Sequence, residues 1–469
     1  MTGRSAALPL ALALLAAAAC ARTPAPPPAA AAPFLPVELG LCEDYPEETR
    51  SPDRVRADMD LVRAAGVRLL RVSLGWDGTE SQRDRYDWTF WDAFFTIAAE
   101  KGVQIIPYVC YTPRWNAVDP ADEYWTSPPR DLAEFEEFTR DLAARYRGRV
   151  ASWEIWNEPD NRAYWRGTPG QFAELLAAGA RGVRAGDPAA QVVFGGLAGE
   201  LDFLEQLLAQ HHAARFVDVF NLHAYYETWN PDPLERLPEY LLRARELVQR
   251  WGEHEPLWLA EVGYSSFRRG AHVSDQYRAR HAYEHTPAHQ AAALVRTVAL
   301  ALSTGAVTRI AWYELRDLPP GEAVIGDVNN RHLGVTTTEG RPKPALEALR
   351  FVAGLLALPA RCIDDEVLVT RRVGSDAEVH VFERADGVVV AVCWLHTRVF
   401  GQAPTSGDAP DEREERIALR LPARAGRELV ARDALGRPVD AGSLSPTVSG
   451  PELRDLVLRG EGALVLEVR

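Results

Sequence analysis

The chain has 469 residues, more than a single barrel-sized core of about 250 residues requires, so two folded domains are expected. Hydrophobic residues at 47% and charged residues at 25% give the balance of a globular protein with large cores, which excludes a fibrous or intrinsically disordered chain. The net charge is −14, Lys101 and Lys343 are the only lysines and no basic run occurs, which excludes a surface built to hold a nucleic-acid backbone.

At the N-terminus, Arg4 precedes the apolar run Leu8 to Ala19, the n-region and h-region of a signal peptide over residues 1–20. Export to the periplasm, the cell surface or the medium is expected. Cys20 follows Ala17, Ala18 and Ala19 in a manner that resembles a bacterial lipoprotein cleavage site and would anchor the chain through a lipid. The other reading is a plain secretory signal cut within the same alanine run. Residues 21–36 are almost all Ala and Pro, the composition of an extended linker. No later segment approaches about 20 uninterrupted apolar residues, so no permanent membrane span is expected.

Over residues 37–358 short apolar runs alternate with helical patterns, the order of successive βα units. The expected strands are Val37 to Leu41, Val67 to Leu74, Val103 to Cys110, Val150 to Trp156, Gln191 to Phe194, Val217 to His223, Leu257 to Glu261 and Ile310 to Glu314. Helical spacing of apolar residues marks Ser51 to Ala65, Trp88 to Lys101, Leu132 to Tyr146, Gly170 to Ala185, Ala288 to Ser303 and Lys343 to Leu358. Gly66, Gly102 and Gly305 stand where helices end. Eight alternations predict an α/β fold in the form of a closed (β/α)8, or TIM, barrel.

After residue 358 the pattern shifts to short alternating strands: Val367 to Arg371, Glu378 to Glu383, Val388 to Trp394 and Leu464 to Val468. Residues 359–469 therefore read as a smaller all-β sandwich, with a hairpin turn at Asp386-Gly387 and an exposed loop from Gly401 to Glu415. Twelve of the thirteen tryptophans lie in the barrel region, so the wide aromatic surface belongs there. Beyond Cys20, the four cysteines Cys42, Cys110, Cys362 and Cys393 could pair after export, Cys362 with Cys393 first, or remain buried small hydrophobes.

In such a barrel the reactive groups sit at the C-terminal ends of the strands. The fourth strand reads Ser152-Trp153-Glu154-Ile155-Trp156-Asn157-Glu158-Pro159, and period-two alternation turns Ser152, Glu154, Trp156 and Glu158 toward the axis. The seventh ends in Glu261, 103 residues after Glu158, which is three βα units at the spacing of this chain. Two carboxyl groups facing each other across a barrel mouth are what glycoside hydrolysis requires, one to protonate the leaving oxygen and one to attack the anomeric carbon. Either glutamate alone reads equally well as a helix cap or a solvated strand end; the two at matched depth do not. In the second strand Arg71 and Ser73 share a face, and a structural pair of Arg71 with Glu154 is the other reading. His211-His212 and the stretch His272 to His289 lack the spacing and acidic company of a metal site, so neither a metal nor a cofactor is expected.

Asn157-Glu158-Pro159 after the fourth strand and Glu261 ending the seventh resemble the glycoside hydrolases of clan A, most nearly families 39 and 5. Leu333-Gly334 and Arg341-Pro342-Lys343-Pro344-Ala345 before the last helix extend the resemblance across the whole barrel. It implies that Glu158 is the general acid/base, Glu261 the nucleophile and Asn157 a ligand of the sugar 2-hydroxyl. Arg71 matches the arginine that keeps the nucleophile ionised, and His223-Ala224-Tyr225 matches a His-x-Tyr pattern whose rings face the site. Trp312 matches the tryptophan beneath the bound sugar, and Trp76, Trp115, Trp125, Trp165, Trp229 and Tyr264 could line further subsites. The expected protein is an exported retaining hydrolase of β-linked oligo- or polysaccharide. The alternatives are a transglycosylase using the same site and a carbohydrate-binding envelope lipoprotein without turnover. The sandwich resembles the accessory domains of family 39 and would pack against the barrel.

Overall fold

The computed structural model describes residues 33–47, 49–252, 257–267, 269–272, 282–320, 328–398 and 411–469. The expected signal peptide, Cys20 and most of the Ala/Pro linker lie outside the described residues. No helix among the described residues is long and apolar enough to cross a membrane.

The first half of the barrel runs β1 (Glu38–Glu43), α1 (Pro52–Ala64), β2 (Leu69–Gly75), the short α2 (Trp76–Thr79), α3 (Thr89–Lys101), β3 (Gln104–Cys110), α4 (Leu132–Arg145) and β4 (Ser152–Ile155). The second half runs α5 (Pro169–Gly186), β5 (Gln191–Phe194), α6 (Leu201–His211), β6 (Phe220–Ala224), α7 (Leu237–Trp251) and β7 (Leu257–Val262). A hairpin of β8 (Arg269–His272) and β9 (Ala282–Glu284) follows, then α8 (Pro287–Ser303), β10 (Val307–Trp312) and α9 (Pro344–Leu355). The eight barrel strands pair in parallel in the order β5-β4-β3-β2-β1-β10-β7-β6. Parallel bridges Val193–Val219 and Leu197–Leu222 join β5 to β6 and close the ring.

Local chemistry sets the helix bounds. The Ser51 hydroxyl accepts from the Arg54 N–H at the start of α1, and Thr168 with Gln171 forms a reciprocal capping box ahead of Pro169. Gly102 ends α3 at φ +64°, a conformation glycine adopts without steric cost. The strand faces toward the helices carry the large apolar core, and the inner face carries a small one of Cys42, Leu69, Ile106, Val193, Val219, Trp258, Ala260 and Ala311. The expected last strand, Ile310 to Glu314, is found three residues earlier at its start and ends at Trp312, where the backbone leaves the ladder.

The C-terminal region forms two antiparallel sheets. One pairs β11 (Ala360–Cys362), β13 (Ala377–Arg384), β14 (Val389–Leu395), β19 (Ala463–Val468) and β16 (Leu429–Asp433). The other pairs β12 (Leu368–Thr370), β15 (Glu414–Arg420), β18 (Gly450–Arg459) and β17 (Leu444–Thr447). Val381, Ala391, Cys393, Ile417, Leu419, Leu456 and Leu466 fill the space between them. The loop expected from Gly401 to Glu415 falls partly outside the described residues; within them β15 already begins at Glu414, and Asp411 is buried rather than exposed, paired with Arg413. Among the described cysteines no disulfide forms: Cys42, Cys110 and Cys393 are buried thiols and Cys362 is half-buried.

One helix ties the two regions together. Nearly every residue of α8 from His289 to Leu302 is buried, the pattern of a helix covered on all sides. Its Val295, Val298, Ala299 and Leu302 share one apolar cluster with Phe382, Val390 and Val392 of the sandwich. Leu35, ahead of β1, also pairs with Ala360 of β11.

Candidate active site

The inner face of β2 brings Arg71 to the centre of the barrel mouth, with only 1% of its surface exposed. A buried guanidinium needs partners for its charge and its donors, and every nitrogen of this one donates to an acceptor. Nε and Nη2 hold the two Glu154 oxygens at 2.8 and 2.9 Å, Nη1 donates to Glu261 Oε2 at 2.6 Å, and Nη2 also donates to Asn157 Oδ1 at 2.7 Å. Its fourth side is the Tyr108 ring, 4.1 Å away. Both readings of Arg71 therefore hold at once, because its planar fork serves the structural Glu154 and the mouth-facing Glu261 together. Burial alone would raise the Glu154 carboxyl, but the Arg71 charge holds it below the usual range. Gly196 N–H and Asn221 Nδ2 donate to Glu154 Oε1 as well. A Cβ at Gly196 would fall inside the His223 imidazole, so only glycine lets this backbone approach.

Glu158 reaches the mouth by a different path from the expected one. Strict alternation ends at Ile155, because Trp156 and Glu158 adopt φ of +76° and +43°. Trp156 consequently turns away from the axis and packs edge-on against Trp165 at 5.1 Å. Positive φ in a tryptophan is sterically costly, and such conformations persist where the surroundings enforce them. Here the Glu158 N–H donates to Gly196 O at 2.9 Å, and the Asn161 N–H closes a turn onto Glu158 O at 2.9 Å. The Asp160 carboxylate accepts from Ala198, Gly199 and Glu200 N–H at 2.9 to 3.1 Å and fastens this turn to the loop after β5.

Glu261 owes its direction to a β-bulge. Asn221 pairs with Trp258 but His223 pairs with Glu261, so β7 spends one more residue than β6 over the same stretch. Trp258 and Ala260 both face inward, and the extra residue turns the adjacent Glu261 to the same face. Tyr225 then donates its phenol to Glu261 Oε1 at 2.7 Å. Oxygens of Glu158 and Glu261 and a ring nitrogen of His223 all lie within 4.8 Å of one another.

Burial raises both glutamates, and different partners oppose it at each. Burial raises the Glu158 carboxyl to about 7, opposed by a hydrogen bond from Asn161 Nδ2 at 2.8 Å and by the Arg71 charge. Burial also raises Glu261, against the pull of His223, Arg71 and the Tyr225 phenol. Glu261 thus receives a charged and a phenolic donor on its two oxygens, the arrangement that favours the ionised form. Burial lowers His223 to about 4, which leaves it a neutral imidazole near pH 7. Asn221 Nδ2 lies 3.5 Å from its Nε2, which fits the tautomer whose Nδ1–H donates to Glu158 Oε1 at 2.9 Å. Burial and the Glu261 charge push Tyr225 well up, so it stays a donor.

Above this pair opens a cavity of about 650 Å³. The structure brings Asn157, Glu158, His223, Tyr225 and Glu261 to its wall, with Arg71 directly behind. Trp312 is not among them. Because Ala311 faces the axis, Trp312 points the other way into the layer between sheet and helices, and its neighbour Tyr313 lines the cavity instead. Of the six loop aromatics only Trp229 lines it. Trp76 and Trp165 are core residues, Trp115 stands edge-on to Trp76, Trp125 stands edge-on to Tyr124, and Tyr264 is buried with its phenol on Glu227 Oε2. Sequence reasoning missed Asn161, Tyr108, Tyr313 and Asp44. The Asp44 carboxylate accepts the phenols of Tyr108 at 2.7 Å and Tyr313 at 3.0 Å, joining three strand ends that no spacing relates.

A closed (β/α)8 barrel whose mouth opposes two buried carboxyl groups beneath an aromatic cavity defines a glycoside hydrolase. The chain belongs to the glycosyl hydrolases family 39, whose profile matches residues 34–435. Among solved structures, a family 39 glycoside hydrolase from the gut symbiont Bacteroides cellulosilyticus superposes with a TM-score of 0.66 at 18% identity, over 93% of this chain and 81% of that one. A monomeric β-xylosidase from Caulobacter crescentus gives 0.60 at 19%, over 94% and 98%, and a family 39 enzyme from Xanthomonas axonopodis pv. citri gives 0.62 at 19%, over 93% and 95%. At these identities the likeness is one of fold. No curated protein matches the chain.

Proposed function

We propose that the protein is an exported retaining β-glycosidase in which Glu261 is the nucleophile and Glu158 the general acid/base. The observation that carries the mechanism is the approach of their oxygens to within 4.8 Å. Retaining enzymes hold their carboxyls about 5 to 5.5 Å apart, whereas inverting ones need about 6.5 to 9.5 Å to admit a water. In the first step Glu158, protonated and buried, gives its proton to the glycosidic oxygen while Glu261 attacks the anomeric carbon. In the second, Glu158 takes a proton from water as that water displaces Glu261. Asn157 Oδ1 is occupied by Arg71, which leaves its NH2 group to donate to the sugar 2-hydroxyl.

The wall also bears on the substrate. Asp44, Glu47, Glu200 and Asp232 line the cavity beside the glutamate pair, and no lysine or arginine is among the described lining residues. Carboxylates accept sugar hydroxyls and repel uronates, which supports an uncharged β-linked oligo- or polysaccharide. The β-xylosidase among the similar folds makes β-xylosides a sensible first probe. Export rests on Arg4, the apolar run Leu8 to Ala19 and the small residues before Cys20. The deciding experiment follows the anomer released from an aryl β-glycoside by proton NMR, alongside azide rescue of Glu261→Ala. The β-anomer as first product and a rescued α-glycosyl azide are expected; full activity of Glu261→Ala without azide, or release of the α-anomer, refutes the assignment.

A further inference from the structure

Six residues of the segment between β6 and α7 line the cavity: Tyr225, Tyr226, Trp229, Asn230, Pro231 and Asp232. At its centre Glu227 is fully buried at φ +60°, pointing away from the cavity. Its N–H donates to Asn230 O at 2.9 Å and its Oε1 accepts the Leu234 N–H at 2.9 Å, so the segment folds around this one side chain. Tyr264 donates to Oε2 at 2.9 Å and His285 Nε2 meets the Glu227 carbonyl at 2.6 Å.

The charge facing Glu227 comes from α8. Arg296 is 2% exposed, lies 3.9 Å from Glu227 Oε1 and donates to Glu235 Oε1 at 2.7 Å, at the far end of the same segment. The sandwich completes the cluster. Trp394 Nε1 donates to Glu235 Oε1 at 2.8 Å, and Arg296 Nη1 donates to the Thr397 hydroxyl at 2.8 Å. The one guanidinium faces two buried carboxylates, and the sandwich braces this arrangement from outside, with the Trp394 indole N–H on Glu235 and the Thr397 hydroxyl on Arg296.

We propose that the C-terminal sandwich sets the position of the substrate-lining 225–236 segment through this cluster, which makes Trp394 and Thr397 positioning residues for sugar binding. Neither touches the cavity. Trp394 fixes Glu235 and Thr397 fixes Arg296, and these hold the two ends of the segment that carries Trp229 and Tyr225. The kinetic part of the inference rests on the glycosidase reading; the structural coupling does not.

The test uses the full chain and the variants Trp394→Phe, Thr397→Val and Thr397→Ser, with 4-nitrophenyl β-D-xylopyranoside as kinetic probe and amide hydrogen exchange as the second measurement. Trp394→Phe and Thr397→Val should raise KM by about 3- to 30-fold with kcat within about twofold, since Tyr226 and Trp229 to Asp232 line the cavity without touching the glutamate pair, while Tyr225 is held separately by its hydrogen bond to Glu261. Exchange of 225–236 should quicken by about tenfold or more while 157–165 stays unchanged. Thr397→Ser, which keeps the hydroxyl, should match the wild type. Thr397→Val alone suffices if Trp394→Phe does not fold. Unchanged KM and unchanged exchange in a folded variant overturn the proposal, and so does exchange quickened equally in 157–165. A wild type inactive on every aryl glycoside would defeat the glycosidase reading, leaving the exchange result to decide the coupling.

Discussion

Replacing Tyr225 by Phe removes one oxygen and leaves the ring in place. The phenol donates to Glu261 Oε1 at 2.7 Å in a buried site, so its loss withdraws one charged hydrogen bond from the proposed nucleophile. Such a bond contributes about 1.5 to 3 kcal/mol, which corresponds to about one to two pKa units on the carboxyl. In the proposed mechanism Glu261 must be ionised to attack, and the phenol favours that form. The acidic limb of the kcat/KM profile should therefore move to higher pH by about one unit, and the plateau should fall about 10- to 100-fold. The alkaline limb belongs to Glu158, at about 7, and should stay in place. The assay is the pH dependence of kcat/KM on an aryl β-glycoside. An acidic limb that stays fixed or moves down would show that the phenol does not act on the nucleophile's charge.

Asn161→Ala removes a donor that favours ionised Glu158, so the alkaline limb should rise by less than about one unit while the acidic limb holds, read from the same profile. In the sandwich, burial opposes a charge on His380, but a hydrogen bond to Asp364 at 2.7 Å and the Glu378 carboxylate 3.4 Å from its Nε2 overcome it and push the pKa up to about 9. That stabilisation is complete below the unfolded value of about 6.5 and is lost as pH rises through about 9; His380→Gln should cost about 1 to 3 kcal/mol at pH 6 and little at pH 10 in denaturant melts. The Glu158, His223 and Glu261 donor atoms could also seize a divalent cation: added Zn2+ should inhibit competitively and reversibly, with EDTA alone leaving the rate unchanged, and a His223→Gln variant should lose the zinc sensitivity.

Strand positions were legible because each barrel strand is covered by helices outside and filled inside, so the apolar runs stand out against amphipathic helices. Gln191–Phe194 matches to the residue, and Arg71 and Ser73 do share the inner face. Alternation failed where the backbone leaves the ladder. It placed Trp156 on the axis, which positive φ prevents, and it carried the last strand past Trp312, the point that separates an inward Tyr313 from an outward tryptophan. It also gave no hint of the bulge in β7, although without that extra residue Ala260 facing inward would send Glu261 outward. Glu158 and Glu261 were singled out by their chemistry and the order of their motifs, and the structure brings them to one cavity, while Asn161 and Asp44 act through contacts among separate loops that a linear pattern does not encode.

The pairing of Arg71 has a further consequence for the reaction. Its single positive charge faces both Glu154 and Glu261, and Glu154 is held ionised. With Glu261 ionised and Glu158 protonated, as the proposed mechanism requires, the group formed by Arg71, Glu154, Glu158 and Glu261 carries one unbalanced negative charge. In the proposed mechanism the sugar passes through an oxocarbenium-like state bearing positive charge at the carbon that Glu261 attacks. The resting site is therefore already polarised for that cation, and the field requires no rearrangement at the moment of bond breaking. An interior cation that served Glu261 alone would cancel this field, so Glu154, remote from the sugar, preserves the attraction by occupying most of the guanidinium.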